Sequence, residues 1–307
     1  MSAELMEEIK LTWAEFEALM TKGTHKPNHS RPLFRGQKRA SWALHTTLER
    51  YTGLGDYSAQ SYFNAIRSAA RAIETATGRR FDVESADSSI PPVFRLPDGY
   101  AFMAYLRQNG FPSPLLDWTR SPYVAAFFAF HYADYREEES VAIFEYVEYS
   151  DRGKTSDKLG TIQSLGPWIA TDRKHLLQQS EYTVCRTDEK NQVKYVSHDP
   201  VFAKGHKKQD MLTKYILPAA DKNQVMRRLS VMNINAYALF ETTQGLMELL
   251  ANDVIGEPLS CQETGIPPPL EPPPVECING KPFDQFFGRD PFGPPLGSKE
   301  RDPFARP

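Results

Sequence analysis

One segment constrains the fold of this chain more than any other. Residues 121–132 read Ser-Pro-Tyr-Val-Ala-Ala-Phe-Phe-Ala-Phe-His-Tyr. The serine can cap a helix, the proline suits a first turn, and Tyr123 to Tyr132 is almost wholly apolar. A helix that is apolar on every side cannot lie on a surface and must be enclosed by other elements. With 307 residues the chain is long enough to enclose it without staples. Cys185, Cys261 and Cys277 are too few and too scattered for a disulfide framework or a zinc site.

The surrounding pattern mixes both periodicities. Thr12 with Glu15 forms a capping-box pattern, which predicts a helix over Thr12 to Met20, ended by Gly23. Pro32 to Gln37 reads as a short strand that delivers Arg35 and stops at Gly36. Helical spacing places Phe63, Ile66, Ala70 and Ile73 on one face of Tyr62 to Thr77. A further helix is expected over Tyr100 to Gln108, and another over Asp221 to Val231. Val141 to Val147, Glu181 to Arg186 and Met211 to Leu217 read as strands. The expectation is one α+β domain over residues 1–256, with Phe34, Leu116, Trp118, Phe127, Phe128, Ile143 and Val184 in its core.

Beyond residue 256 prolines cluster, at 267–269 and 272–274. Residues 257–307 are read as a disordered, proline-rich tail, because such a composition cannot bury enough apolar surface to offset its ordering entropy. Phe283, Phe286, Phe287 and Phe292 are its candidate anchors for a partner. The acidic start of the chain is unlike a signal peptide, and no stretch is long and apolar enough for a membrane span. A cytoplasmic protein with no membrane partner is expected. The formal net charge of -3 gives no global attraction to nucleic acid. His25 and His29 have a metal-like spacing that Pro27 disrupts, so no metal is expected.

Three segments carry candidate chemistry. They are Leu33-Phe34-Arg35-Gly36-Gln37, the run Gly110-Phe111-Pro112-Ser113-Pro114-Leu115-Leu116-Asp117-Trp118-Thr119-Arg120-Ser121-Pro122 leading into Val124 to Ala129, and Leu176-Leu177-Gln178-Gln179-Ser180-Glu181-Tyr182-Thr183-Val184. The first two resemble the FRG domain family, and the resemblance runs roughly from Trp13 to Leu250. Where that family often has His-Tyr before the glycine, this chain has Gln108-Asn109. The third segment is similar to the glutamate-bearing strand start of poly(ADP-ribose) polymerases and DNA-targeting ADP-ribosyltransferase toxins. Arg35, then Thr119 to Ser121, then Glu181 follow the Arg…Ser/Thr…Glu order of ADP-ribosyltransferases.

The resemblance implies an ADP-ribosyltransferase-like split sheet flanked by helices, with NAD as substrate and no metal. Glu181 is then the catalytic residue; Arg35, Thr119, Ser121, Gln178 and Tyr182 bind NAD. Cleaving the nicotinamide–ribose bond develops oxocarbenium charge, which a carboxylate on a ribose hydroxyl stabilises most in the transition state. A fixed guanidinium can fork onto the pyrophosphate. Tyr123 or Tyr182 could stack on the nicotinamide. Each residue also has a plainer reading: Arg35 as the ion-pair partner of Asp117, Ser121 as a helix cap, Glu181 as a strand-end charge. The family also implies a toxin-type role in anti-phage defence or a toxin–antitoxin module, with an antitoxin as partner. Basic residues around Arg35 (Lys22, Lys26, Arg31, Lys38, Arg39) and the run Lys204, His206, Lys207, Lys208 favour a nucleic-acid acceptor, mRNA or DNA, over a protein acceptor. A non-catalytic ligand-binding module and an NAD hydrolase remain open as alternatives.

Overall fold

The central apolar helix forms as its ends predict. Ser121 Oγ accepts from the Val124 amide at 3.3 Å, and Pro122 fills the first turn. The computed structural model describes residues 6–23, 30–53, 55–81, 83, 94–133, 139–148, 158–190, 192–204 and 209–255. The strands among them are β1 (Met6–Lys10), β2 (Leu33–Gln37), β3 (Tyr57–Ser58), β4 (Leu116–Thr119), β5 (Ser140–Glu148), β6 (Thr161–Ser164), β7 (Ser180–Glu189), β8 (Gln192–Tyr195) and β9 (Asp210–Pro218). The helices are α1 (Trp13–Lys22), α2 (Thr47–Thr52), α3 (Ala59–Thr77), α4 (Tyr100–Gln108), α5 (Pro122–His131), α6 (Arg173–Leu177), α7 (Asp199–Lys204), α8 (Lys222–Val231), α9 (Ala236–Phe240) and α10 (Thr243–Val254).

All nine strands belong to one mixed sheet, in the order β1-β9-β5-β2-β4-β7-β8-β3, with β6 on β7. Only the β1–β9 pairing is parallel. This is the expected α+β class. β5 lies between β2 and β9, so the elements before and after Val141 share the sheet. β2 pairs along its whole length with β5, and β4 along its whole length with β7. Between β2 and β4 only one pair forms, Phe34 with Thr119.

α5 is enclosed, as its composition demands. Val124, Ala125, Ala126, Phe127, Ala129 and Phe130 are all buried, in a cluster with Phe34, Ile143 and Leu217 of the sheet and Val225 and Leu229 of α8. The helix rests directly on β2. A Cβ added at Gly36 would sit 1.9 Å from the Ala125 carbonyl oxygen and 2.6 Å from the Ala129 nitrogen. No side chain fits there, so a glycine after Arg35 is a packing requirement of the helix. Phe34, Leu116, Trp118, Phe127, Ile143 and Val184 are buried as expected. Phe128 is only half-buried, because its side of α5 faces a cavity rather than the core.

The other ends follow their local signals. The Thr12–Glu15 capping box forms, and Gly23 closes α1. α4 has the expected bounds, while α3 begins three residues earlier than its apolar face, at Ala59, capped by Ser58. β1 falls where the sequence showed only an acidic start; it is an edge strand whose single half-buried residue is Ile9. No helix among the described residues is long and apolar enough to cross a membrane. The tail reading of 257–307, its phenylalanine anchors, and His25, Lys26 and His29 lie outside the described residues.

Candidate functional site

β2 and β4 part beyond their single pair, and a cavity of about 920 Å³ opens at the gap. Its size is at the upper end of the range for small-molecule sites, roughly 300–1,000 Å³. The sheet contributes Arg35, Asp117, Thr119, Ser180 and Tyr182. The last turn of α4 adds Arg107 and Gln108, α2 adds Arg50, α6 adds Lys174, and the loop after β2 adds Lys38 and Trp42. Phe128 and Tyr132 at the C-terminal end of α5, with Phe240 of α9, make an aromatic wall.

The charge balance of the lining is lopsided. Arg35, Lys38, Arg50, Arg107 and Lys174 face one carboxylate, Asp117, among the described residues. Arg35 Nη1 donates to the Asp117 backbone carbonyl at 2.8 Å and to Asp117 Oδ2 at 3.3 Å. Arg107 Nη2 donates to the same carboxylate oxygen. One carboxylate therefore serves two guanidinium groups. Burial pulls the pKa of Arg35 below the usual guanidinium range, Asp117 opposes that, and repulsion from Arg107 adds to it. Burial and then Arg107 lower Arg50 in the same way. Burial also lowers Lys174, against the pull of Asp172. Arginines stay charged even so, and partly desolvated cations that repel one another form a site an anion would relieve. Arg35 Nε and Arg107 Nε are buried and complete no hydrogen bond, and the buried amide of Gln108 lies beside the Tyr182 phenol.

Of the residues singled out from the sequence, Arg35, Thr119, Gln178 and Tyr182 line this cavity. The Thr119 hydroxyl is already engaged: it donates to the Gln178 carbonyl at 2.7 Å and accepts from the Ser121 amide at 3.1 Å. Gln178 Nε2 donates to the Leu239 carbonyl at 3.0 Å. Both residues thus brace the cavity wall. Tyr182 is buried edge-on to Tyr100 and stacked on His175, and burial raises its phenol well above the ordinary value.

Glu181 and Ser121 are not part of the lining. Ser121 is spent on capping α5. Glu181 lies between two lining residues on β7. It pairs in register with Trp118, while its neighbours Ser180 and Tyr182 pair with Thr119 and Asp117. Successive side chains leave a strand on opposite faces, so Glu181 diverges from Ser180 and Tyr182, although its partner Trp118 is on the lining. Its carboxylate meets Arg120 Nε at 3.6 Å. Burial raises its pKa, against the opposing pull of Arg120 and then Arg31. Tyr123 likewise packs with Trp13 in the core rather than at the cavity. His206, Lys207 and Lys208 lie outside the described residues, as does the side chain of Lys204.

The sequence reading missed Arg50, Arg107 and Lys174. Each lies on a different helix, and no spacing rule joins them; only the fold does. Asp117 was named as a partner for Arg35, and that pairing is present.

Comparison with curated proteins and with solved structures finds no match. The FRG domain family model matches residues 30–138, a narrower span than the resemblance over Trp13 to Leu250. That span contains Arg35, Arg50, Arg107 and Asp117, so the stretch similar to the FRG domain supplies the paired arginines and the carboxylate of the cleft.

Proposed function

We propose that the cleft binds NAD, or a dinucleotide of the same build. One observation carries the reading: Arg35, Arg50, Arg107 and Lys174, from four separate elements, converge on one aromatic-walled cavity whose lining, among the described residues, holds one carboxylate, Asp117, with Asp172 behind Lys174 and Glu49 beside Arg50. A pyrophosphate supplies the missing negative charge, and bidentate guanidinium contacts suit its geometry. The rings of a dinucleotide suit Phe128, Tyr132 and Phe240. Isothermal titration with NAD, ADP-ribose and nicotinamide tests this. NAD and ADP-ribose should bind and nicotinamide alone should not, since the arginines recognise phosphate. Failure of both dinucleotide-derived ligands to bind would remove the reading.

A second reading, ADP-ribosyl transfer on an ADP-ribosyltransferase-like fold, is favoured by the position of Asp117. It is a carboxylate on the lining, next to Arg35, where Glu181 is not. The C1′–nitrogen bond of NAD would break with its electron pair leaving on nicotinamide. An acceptor nucleophile would bond to C1′ and release its proton. Asp117 would stabilise the oxocarbenium charge on the ribose. Water in place of the acceptor would make the same site an NAD hydrolase. The toxin role, with an antitoxin as partner and a nucleic-acid or protein acceptor, belongs to this second reading and rests on the FRG resemblance. Incubating the protein with labelled NAD and cell extract, then digesting separately with nuclease and protease, tests it. Label that becomes nuclease-sensitive identifies a nucleic acid; label that never leaves NAD returns the protein to a binding module.

A further inference from the structure

The loop that follows β2 presents a tryptophan at the mouth of the cleft. Trp42 is 46% exposed, although it lines the cavity and its neighbour Leu44 is buried. The exposure is built in rather than a result of slack. The Ala40 amide donates to the Ser140 carbonyl at 3.0 Å, Gln37 Nε2 donates to the Ala43 carbonyl at 3.2 Å, and the Leu44 amide donates to Asp199 Oδ1 at 3.2 Å. The loop is therefore tied to the protein on both sides of Trp42, and the indole stands out between the ties. Two cations accompany it: Lys38 Nζ lies 5.6 Å and Arg39 Cζ 5.7 Å from the ring centroid. Arg50, on the same lining, extends the positive charge inward.

An exposed, fixed aromatic face beside positive charge is the pattern that binds unpaired nucleotides. A base displaces the cations that lie over the ring and stacks there, and the displaced cations meet the flanking phosphates. Duplex nucleic acid keeps its bases stacked on one another and offers none to the indole. An acidic peptide satisfies the cations but leaves the ring uncovered. We infer that the Lys38–Trp42 loop is a binding platform for single-stranded nucleic acid, with one base on Trp42 and the strand led towards the cleft. Only the strand's role as acceptor rests on the NAD reading; the platform itself rests on the loop.

The test is fluorescence anisotropy with a labelled single strand of about 12 nucleotides, a length within the usual range of such sites. The matching duplex and a poly-glutamate peptide serve as controls, and NAD titration runs in parallel. Wild type should bind the single strand more tightly than either control. Trp42→Ala should weaken strand binding by about 5- to 100-fold, and Trp42→Phe should recover most of it. Lys38→Ala should flatten the log–log salt dependence by about 0.7. A thermal melt confirms that each variant folds. Equal affinity for the peptide or the duplex would overturn the inference, as would strand binding indifferent to Trp42. NAD binding without strand binding would overturn the platform and leave the cleft reading intact. Strand binding that depends on Trp42 without NAD binding would do the reverse.

Discussion

Two carboxylates lie on adjacent strands, and the fold treats them differently. Asp117 on β4 sits in the cleft and is held by two arginines, one of them also bonded to its backbone carbonyl. Glu181 on β7 lies one register pair away, leaves the strand on the other side, and meets Arg120 in a looser contact of 3.6 Å. In sequence Glu181 has the better credentials: it ends an Arg…Ser/Thr…Glu series and opens an apolar strand. In the structure its neighbours Ser180 and Tyr182 line the cleft and Glu181 does not. A one-residue offset on a strand is a change of face, and a linear motif does not specify face.

The contrast can be broken or sharpened by substitution. The largest expected effect is at Asp117. Asp117→Ala leaves Arg35 and Arg107 facing each other without a counter-charge. A fully buried broken pair costs about 3–5 kcal/mol; with 34% of the Asp117 side chain exposed, about 2–3 kcal/mol is expected, read from urea unfolding midpoints. A cost below ~0.5 kcal/mol would mean that solvent already balances the arginines.

Ligand affinity should separate the two clusters next. Arg35→Ala should weaken NAD binding by about 10- to 100-fold, the loss of a charged hydrogen-bonding partner. Glu181→Gln should change it by less than about 3-fold, because the carboxylate is off the lining. Equal losses in calorimetry would put both carboxylate clusters into one site and erase the distinction.

The smallest effect is a slope. The pKa of Glu181 in the folded protein is raised by burial from the ordinary 4.5. The folded state thus holds its proton more tightly than the unfolded chain does. Stability from this group should therefore fall as pH rises from 4.5 through the higher folded value, then level off. Glu181→Gln should lose that slope. Denaturant titrations at closely spaced pH values would detect it, and a wild-type slope of opposite sign would mean that Arg120 and Arg31 outweigh burial.

Much of the fold was legible where signals are local. α5 carried its own cap, its proline and its need for burial; α1 carried its capping box. β1 was not legible, because an edge strand with one half-buried residue has no apolar alternation to read. Nor was the exposure of Phe128, since an all-apolar helix gives no sign of which side meets a cavity. In the site, Arg35 and its pairing with Asp117 could be read from short segments. Arg50, Arg107 and Lys174 could not, because their convergence is a property of how four elements pack.

The single pair that joins β2 to β4 has a mechanical consequence. Each of these strands is fully laced to its outer neighbour, so the sheet is two stiff panels meeting along a seam one residue pair wide. Beside that pair the Arg35 side chain reaches across to the Asp117 carbonyl, doing by guanidinium what a continuous ladder does by backbone. Helix α5 packs on both β2 and β4, and a ligand that fills the cleft would add a further tie across the seam. Amide hydrogen exchange at Phe34 and Thr119 should therefore slow when the cleft is filled, while exchange within the β5–β9 ladder stays as it was.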